Sequence, residues 1–92
     1  METAVQYRFQ LFVAANAVNS VHAVANLRAL CKAHLSDRHD IEVIDVLTQP
    51  DRAFAAKIVM TPTLLVLEPH PAARLIGNLS DTPVVLRALG LD

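Results

Sequence analysis

Sulfur and imidazole chemistry is the first possibility to test in a chain that has one cysteine and four histidines. Cys31 has no second cysteine to pair with, so an intrachain disulfide and a two-cysteine redox centre are excluded. A zinc site would need three further ligands from the scattered His22, His34, His39 and His70, whereas structural zinc sites usually show two clusters of paired ligands. The sequence therefore predicts no bound metal and no cofactor.

Cys31 by itself leaves one enzymatic alternative open, a degenerate thiol oxidoreductase. Against it, Cys31 falls between Leu27 and Leu35 on an apolar helical stripe, which favours a buried and unreactive thiol. The chain also lacks a Ser/His/Asp order and a glycine-rich phosphate loop, since Gly77 and Gly90 are its only glycines. We therefore predict that the protein is not an enzyme.

Length and composition set the next limits. Ninety-two residues suffice for one small domain, expected to span 1–92. A net charge of −1 and a pI near 6.4 provide no field that would attract nucleic acid. No apolar run approaches the roughly 20 residues that span a bilayer, and residues 1–4 lack the basic start of a secretion signal. A cytoplasmic protein is expected, and its hydrophobic fraction of 53% indicates a packed α/β core or self-association.

The first half of the chain has the pattern of a β-α-β unit. Tyr7 to Val13 alternates and then becomes wholly apolar, which predicts a first strand. A helix is expected at about residues 20 to 35, capped by Asn19 and Ser20. A β-branched second strand should run from Ile41 to Val46 and pair in parallel with the first. Asp45 is expected to accept local N–H groups, with a partner's cation as the alternative.

The second half predicts two helices and a hairpin. Pro50 and Asp51 open a short helix, which Phe54 and Ile58, one turn apart, would anchor on the sheet. Two short strands, 63–67 and 74–77, flank a turn that contains two prolines, and a last helix should run from Ser80 through Leu89 and end near Gly90. The predicted order is β-α-β-α-β-β-α.

Thr61-Pro62-Thr63, just before an apolar strand, is typical of the cis-proline of a thioredoxin-like sheet. The fold class predicted here is therefore α/β, thioredoxin-like, with a mixed four-stranded sheet and cis-Pro62. The loop where a thioredoxin carries its Cys-x-x-Cys motif, residues 14–20, contains no cysteine, which favours binding over redox catalysis. Pro62 could mark a binding groove or serve as a conformational lock of the fold.

Several ordered strings make the chain similar to the KaiB family of the cyanobacterial-type circadian clock along nearly its whole length. Thr-Pro-Thr alone is shared by thioredoxin relatives, whereas the strings Ile44-Asp45-Val46-Leu47 and Ile76-Gly77-Asn78-Leu79-Ser80 together are more specific. The strings are Leu11-Phe12-Val13-Ala14, Asn19-Ser20-Val21, Val43-Ile44-Asp45-Val46-Leu47, Lys57-Ile58, Thr61-Pro62-Thr63-Leu64 and Ile76-Gly77-Asn78-Leu79-Ser80.

This resemblance implies a non-enzymatic clock component that docks on a hexameric P-loop ATPase ring of the KaiC type and regulates its phosphorylation rhythm. It also implies a metamorphic chain, with a thioredoxin-like monomer that binds the ring and a tetramer whose second half is rearranged. The bound monomer competes with a KaiB-like domain of a histidine kinase and recruits further clock proteins. The second interpretation within this class is that the chain is such a sensory domain itself.

The resemblance places the ring contact on the short second helix and the Pro62 loop. The residues expected to bind the partner are Lys57, Ile58, Met60, Thr61, Pro62 and Arg74. A solvated lysine near a helix C-terminus is the alternative for Lys57. The family pattern often has basic residues where this chain has His22, Glu42 and Val66, so only part of the basic set, Lys57 and Arg74, is kept. The expected partner is a divergent KaiC homologue, with a partner system that is not rhythmic as the alternative.

Two features favour the thioredoxin-like state over the tetramer-type fold. Ala88 stands where related chains often have glycine, and alanine is favoured by about 1 kcal/mol inside a helix. The sequence ends at Asp92 and lacks the longer acidic tail usual in the family. Tetramer contacts that such a tail could make are therefore expected to be missing. We expect a monomer with a C-terminal helix.

Overall fold

The computed structural model describes residues 6–91, so the interpretation of residues 1–4 as lacking a secretion signal lies outside the described part of the chain. The order β-α-β-α-β-β-α is confirmed. The strands are β1 (Tyr7–Val13), β2 (His39–Asp45), β3 (Thr63–Glu68) and β4 (Ala73–Ile76), and the helices are α1 (Val18–His34), α2 (Pro50–Ala55) and α3 (Thr82–Ala88).

The four strands form one mixed sheet in the order β2-β1-β3-β4, as the predicted fold class requires. β1 runs parallel to β2, with Leu11 opposite Val43, and antiparallel to β3, with Leu11 opposite Leu64. β3 and β4 form the predicted hairpin, in which Leu64 lies opposite Leu75. The most apolar strand is therefore central, where both faces of the sheet are covered.

One face of the sheet carries the main core. Side chains of a strand alternate between faces, and the odd-numbered residues of β1 pack with the apolar sides of α1 and α3. This core contains Tyr7, Phe9, Leu11, Val13, Ala23, Leu27, Leu30, Cys31, Leu35, Leu64, Val66, Leu79, Val85 and Leu89. The predicted stripe of α1 is thus buried, and Cys31 lies within it.

The opposite face of the sheet lies under α2. Phe12, Ile44 and Thr63 are buried there and are opposite one another in the sheet register. A salt bridge between Arg52 and Glu42 ties α2 to β2. Because α2 has only six residues, none of them buried, it covers this face thinly and leaves much of its own surface to solvent.

The predicted cap of α1 is wrong. α1 begins at Val18, and its N-cap residue is Ala17, which makes no side-chain cap. The Ser20 hydroxyl instead accepts a hydrogen bond of 3.0 Å from the Ala14 N–H, which fixes the loop after β1. β2 also begins earlier than predicted, at His39, because the parallel register with β1 extends to the pair Tyr7 and His39.

The anchoring role predicted for Phe54 is also wrong, since its side chain is 86% exposed. The prediction assumed a helix that continues through Ile58, which would place the two side chains on one face. α2 ends at Ala55, so the one-turn relation does not exist, and only Ile58 is partly buried. Within residues 6–91, no helix is long and apolar enough to cross a membrane.

Candidate protein-docking surface

The loop that enters β3 has the expected backbone. The Thr61–Pro62 peptide bond is cis, and Pro62 is buried at the start of the strand. The Thr63 hydroxyl donates a hydrogen bond of 2.6 Å to the Met60 carbonyl, and the Gly77 N–H donates one of 3.0 Å to the Pro62 carbonyl. Pro62 therefore shapes the loop from inside, whereas the residues before it reach the surface.

The segment around α2 exposes large apolar side chains next to one another in sequence. Val59 is 92% exposed and Met60 is 57% exposed, and both follow directly on α2, which carries the exposed Phe54. We call Phe54, Lys57, Val59 and Met60 the α2 surface. Val59 and Met60 also line one groove, and a contiguous exposed apolar patch is a candidate site for binding another molecule.

A shallow groove of about 170 Å³ lies beside this surface, between α2 and the Pro62 loop. Its walls are mainly apolar, and Thr61 supplies the hydroxyl at its end. The lining residues are Val46, Ala53, Ile58, Val59, Met60 and Thr61. Three of the six predicted binding residues thus lie together, Ile58 and Thr61 in the wall and Met60 at the rim.

Lys57 lies at a special backbone position. The Lys57 N–H donates to the Phe54 carbonyl at 3.0 Å, and the Ile58 N–H donates to the Ala53 carbonyl at 2.9 Å. These two hydrogen bonds form a Schellman motif, whose C′ residue is left-handed and usually glycine. Lys57 takes this place with φ +58°, and its side chain is exposed.

Arg74 reaches the same turn from β4. Its guanidinium donates to the Ala56 carbonyl at 2.9 Å and to the Lys57 carbonyl at 3.1 Å. The sequence could place Arg74 near the predicted site only through the family resemblance. The structure shows that two of its donor groups are used inside the molecule.

The remaining charge beside α2 is largely neutralised. Arg52 binds both carboxylate oxygens of Glu42, with 3.0 Å to Oε1, and Gln10 donates to the same oxygen at 3.2 Å. The hydrogen bond from Arg52, followed by that from Gln10, lowers the pKa of Glu42 below its usual range. Glu42, at a position where the family pattern often has a basic residue, therefore forms its ion pair with Arg52 of the same chain.

The other residues singled out in the sequence have structural environments. Asp45 accepts hydrogen bonds from the backbone N–H groups of Leu47 at 2.9 Å and Ala15 at 3.3 Å, as predicted. Cys31 is fully buried, and desolvation raises its pKa to about 11. In the part of the chain that the structure describes, no three His, Cys, Asp or Glu residues are grouped so that they could hold a metal ion.

The string after β4 has a structural explanation that the sequence did not reveal. The backbone carbonyl of Asn78 accepts a hydrogen bond of 2.8 Å from the side-chain amide of Asn26 in α1. The side-chain oxygen of Asn78 accepts one of 3.0 Å from the Ser80 N–H. Leu79 is buried with φ +64°. Asn78 therefore holds the left-handed turn that places Leu79 in the core.

Two parts of the α2 surface were missed by sequence reasoning, Val59 and the exposed face of Phe54. Neither residue type signals exposure, because phenylalanine and valine are usually buried. The available signal was the shortness of the segment between Pro50 and the Pro62 loop, which leaves little room for a helix that reaches Ile58.

A mixed sheet with a cis-proline before β3 and no cysteine pair after β1 defines a thioredoxin-like protein without the redox sulfurs. The family model described as the KaiB domain matches residues 10–91. The chain belongs to the KaiB family.

Curated relatives agree with this membership. The chain is 46% identical over 83 residues to the circadian clock protein KaiB3 of Synechocystis sp., covering 90% of this chain and 79% of the relative. It is 43% identical over 86 residues to the circadian clock oscillator protein KaiB of Prochlorococcus marinus, covering 94% and 80%.

Solved structures support the fold. The N-terminal domain of Synechococcus elongatus SasA matches with a TM-score of 0.75 and 25% identity, covering 100% of this chain and 90% of that domain. A chloroplastic thioredoxin z matches with a TM-score of 0.78 at 19% identity, covering 94% and 78%, which shows the fold alone.

Proposed function

We propose that this KaiB-family chain is a non-enzymatic, cytoplasmic interaction module that docks on a hexameric KaiC-like P-loop ATPase and regulates its phosphorylation rhythm. The observation that carries the proposal is the exposed α2 surface in a domain of the KaiB family. Of the predicted binding residues, Lys57 and Met60 belong to this surface, and Ile58 and Thr61 line the groove beside it. Pro62 is buried in the loop below the groove, and Arg74 bonds the turn at Lys57.

The chemistry of the α2 surface fits a partner with an apolar patch beside an acid. Phe54, Val59 and Met60 would supply most of the buried area, and Lys57 is an exposed cation beside them in sequence. The core of a protein interface is depleted in charge and enriched in aromatic residues and methionine. Lys57 at the rim would orient the complex and raise its association rate more than its affinity.

Retention on the KaiC-like ATPase ring from the same source, in each nucleotide state, tests the proposal. Val59→Asp should be retained at least about tenfold more weakly than the wild-type protein, because the substitution buries an unpaired charge in the interface. Lys57→Glu should also weaken retention, and because the reversed charge repels the acid of the partner, added salt should then raise retention instead of lowering it. If no nucleotide state of the ring retains the wild-type protein, the proposed function is wrong.

Matched variants control for charge and for exposure. Val18→Asp changes another exposed valine, 69% exposed at the start of α1, and Lys32→Glu reverses an exposed lysine near the end of α1. Both positions belong to α1, which packs on the face of the sheet opposite α2, so both variants should bind like the wild type. Equal losses from Val18→Asp and Val59→Asp would show that the α2 surface is not the contact.

A second candidate is the KaiB-like sensory domain of a histidine kinase. The likeness to the SasA N-terminal domain favours it. The identity to KaiB proteins is higher, at 43% to 46% against 25%, and favours the free KaiB protein. A reading frame that continues into a helical dimerisation segment would select the sensory domain.

A further inference from the structure

The Arg74 guanidinium is hydrogen-bonded within the protein, unlike a cation whose donors all face solvent. Arg74 lies opposite Leu65 in the edge strand β4, and its guanidinium extends to the end of α2. The Ala56 carbonyl that it binds is among those left without partners where a helix ends, and the Lys57 carbonyl is the next one along the turn. Arg74 therefore completes the C-terminal end of a helix that belongs to another part of the chain.

The turn that Arg74 contacts has an unfavourable residue at its key position. α2 and α3 end in the same motif. At the end of α3, the N–H of Gly90, which has φ +74°, donates to the Arg87 carbonyl, and the Leu91 N–H donates to the Leu86 carbonyl. α3 has glycine at the left-handed position, whereas α2 has Lys57, and a Cβ atom disfavours that conformation. Gly90 makes the turn at the end of α3 favourable by itself. The turn at the end of α2 has no glycine and needs another source of stability.

α3 supplies a second comparison. The carbonyl of Leu89, the residue before Gly90, accepts a hydrogen bond of 2.9 Å from the hydroxyl of Tyr7 in β1. The carbonyl of Ala56, the residue before Lys57, accepts one from Arg74 in β4. In both cases a strand side chain holds a helix end, but only Arg74 adds a second bond, to the left-handed residue itself.

We propose that Arg74 is a positioning residue of the α2 surface: its two hydrogen bonds hold the left-handed turn at Lys57 and so set where Lys57, Val59 and Met60 lie. This inference rests on the proposed function for its consequence, since a fixed turn presents the docking residues in one arrangement. A preorganised surface binds more tightly because less ordering is required on association.

Amide hydrogen exchange of the free protein tests the positioning without any partner. In Arg74→Met, exchange at Lys57 and Ile58 should accelerate about tenfold, the factor expected when hydrogen bonds from a charged donor are lost. Arg74→Lys keeps a donor and should fall between Arg74→Met and wild type. The amides of Gly90 and Leu91, in the equivalent turn of α3, are the internal control and should not change.

A double-mutant cycle identifies the left-handed residue as the reason. Lys57→Gly removes the Cβ atom, so adding Arg74→Met to it should accelerate exchange at Ile58 by less than about threefold. Unchanged exchange at Ile58 in Arg74→Met would overturn the inference. So would equal acceleration at Leu91, which would mean general loosening, or the same acceleration with and without Lys57→Gly.

Retention on the ATPase ring supplies the functional readout. Arg74→Met should bind several-fold more weakly than wild type, with partial rescue by Arg74→Lys. Wild-type binding by Arg74→Met would overturn the positioning role even if exchange accelerates. If the ring does not retain the wild-type protein at all, the proposed function fails, and the exchange of Lys57 and Ile58 still decides whether Arg74 holds the turn.

Discussion

At the scale of single residues, Cys31 shows how an environment removes a chemistry that the residue type would permit. The thiolate is the reactive form of cysteine, and burial raises the pKa of Cys31 to about 11. The side chain is also fully enclosed between α1 and the sheet. The degenerate oxidoreductase therefore lacks both the thiolate and access to it.

Thiol labelling should show this protection directly. At about pH 8, the native protein should react with an aromatic disulfide reagent at least about a hundredfold more slowly than an unperturbed thiol, because its thiolate fraction is smaller by that order. Unfolding in concentrated denaturant lowers the pKa of Cys31 and exposes it, so labelling should then become fast. Rapid labelling of the native protein would restore the oxidoreductase alternative.

Lys57 illustrates the opposite relation, since its side chain gains its position from the backbone. The sequence placed Lys57 near the end of a helix, where a cation interacts favourably with the helix dipole. The structure adds that Lys57 occupies a left-handed position with φ +58°, which no sequence rule assigns to lysine. Its direction on the surface therefore depends on the turn and on Arg74.

At the scale of elements, the ends of the helices proved harder to predict than their existence. Gly90 signalled the end of α3 because glycine is the usual C′ residue, and the structure has the same motif there. The end of α2 carried no such signal, so the predicted helix was too long and the orientation of Phe54 was wrong. The elements of the sheet were predictable because alternation and apolar runs are local patterns.

Docking of α3 on the sheet depends on a contact that joins the two ends of the described chain. The Tyr7 ring stacks on Phe9 with 6.1 Å between centroids, and Arg38 lies 5.8 Å above the Tyr7 ring. The Tyr7 hydroxyl donates to the Leu89 carbonyl in a buried site. Phenylalanine would keep the ring contacts and remove only this hydrogen bond.

Tyr7→Phe should lower the free energy of unfolding by about 1 to 2 kcal/mol, because it leaves the buried Leu89 carbonyl without its side-chain donor. Denaturant titration measures the change. Thr48→Val is a suitable control, since it removes an exposed hydroxyl hydrogen bond of 3.3 Å and should change stability by less than about 0.5 kcal/mol. Equal changes in the two variants would show that the Tyr7 hydroxyl does not hold α3.

At the scale of the whole molecule, the two faces of the sheet differ in what covers them. α1 and α3 bury one face in a continuous core, whereas the short α2 lies on the other face and exposes most of its side chains. The sheet thus separates the main core from the surface proposed to bind a partner. Both would draw on the 53% of residues that are hydrophobic.

The fold could be predicted from the sequence further than the site could. The order of elements along the chain, the hairpin and cis-Pro62 followed from local patterns together with the family resemblance. The pairing of Glu42 with Arg52, of Arg74 with α2 and of Asn26 with Asn78 could not be predicted, because each joins residues from different elements. A polar side chain that could bind a partner, as judged from the sequence, is recognised as hydrogen-bonded within the protein only in the folded structure.

The family resemblance implies a balance between two folds, which belongs to the whole chain and which a single helix position should shift. Ala88 lies in the last turn of α3, and its replacement by glycine costs up to about 1 kcal/mol in a helix. Because the resemblance implies that only the second half rearranges, Ala88→Gly should shift the population toward the alternative fold by up to about fivefold. Ala33→Gly, at an exposed position of α1, affects an element that both folds share and should leave the ratio unchanged.

Backbone NMR shifts across residues 84–89, measured together with sedimentation, check this balance. The wild-type protein should show helical shifts there and sediment as a monomer, whereas Ala88→Gly should show a larger strand-like or tetrameric fraction. Strand shifts in the wild type would mean that the alternative fold dominates. Equal shifts of the ratio by Ala33→Gly and Ala88→Gly would contradict the argument, because a helix common to both folds cannot favour one of them.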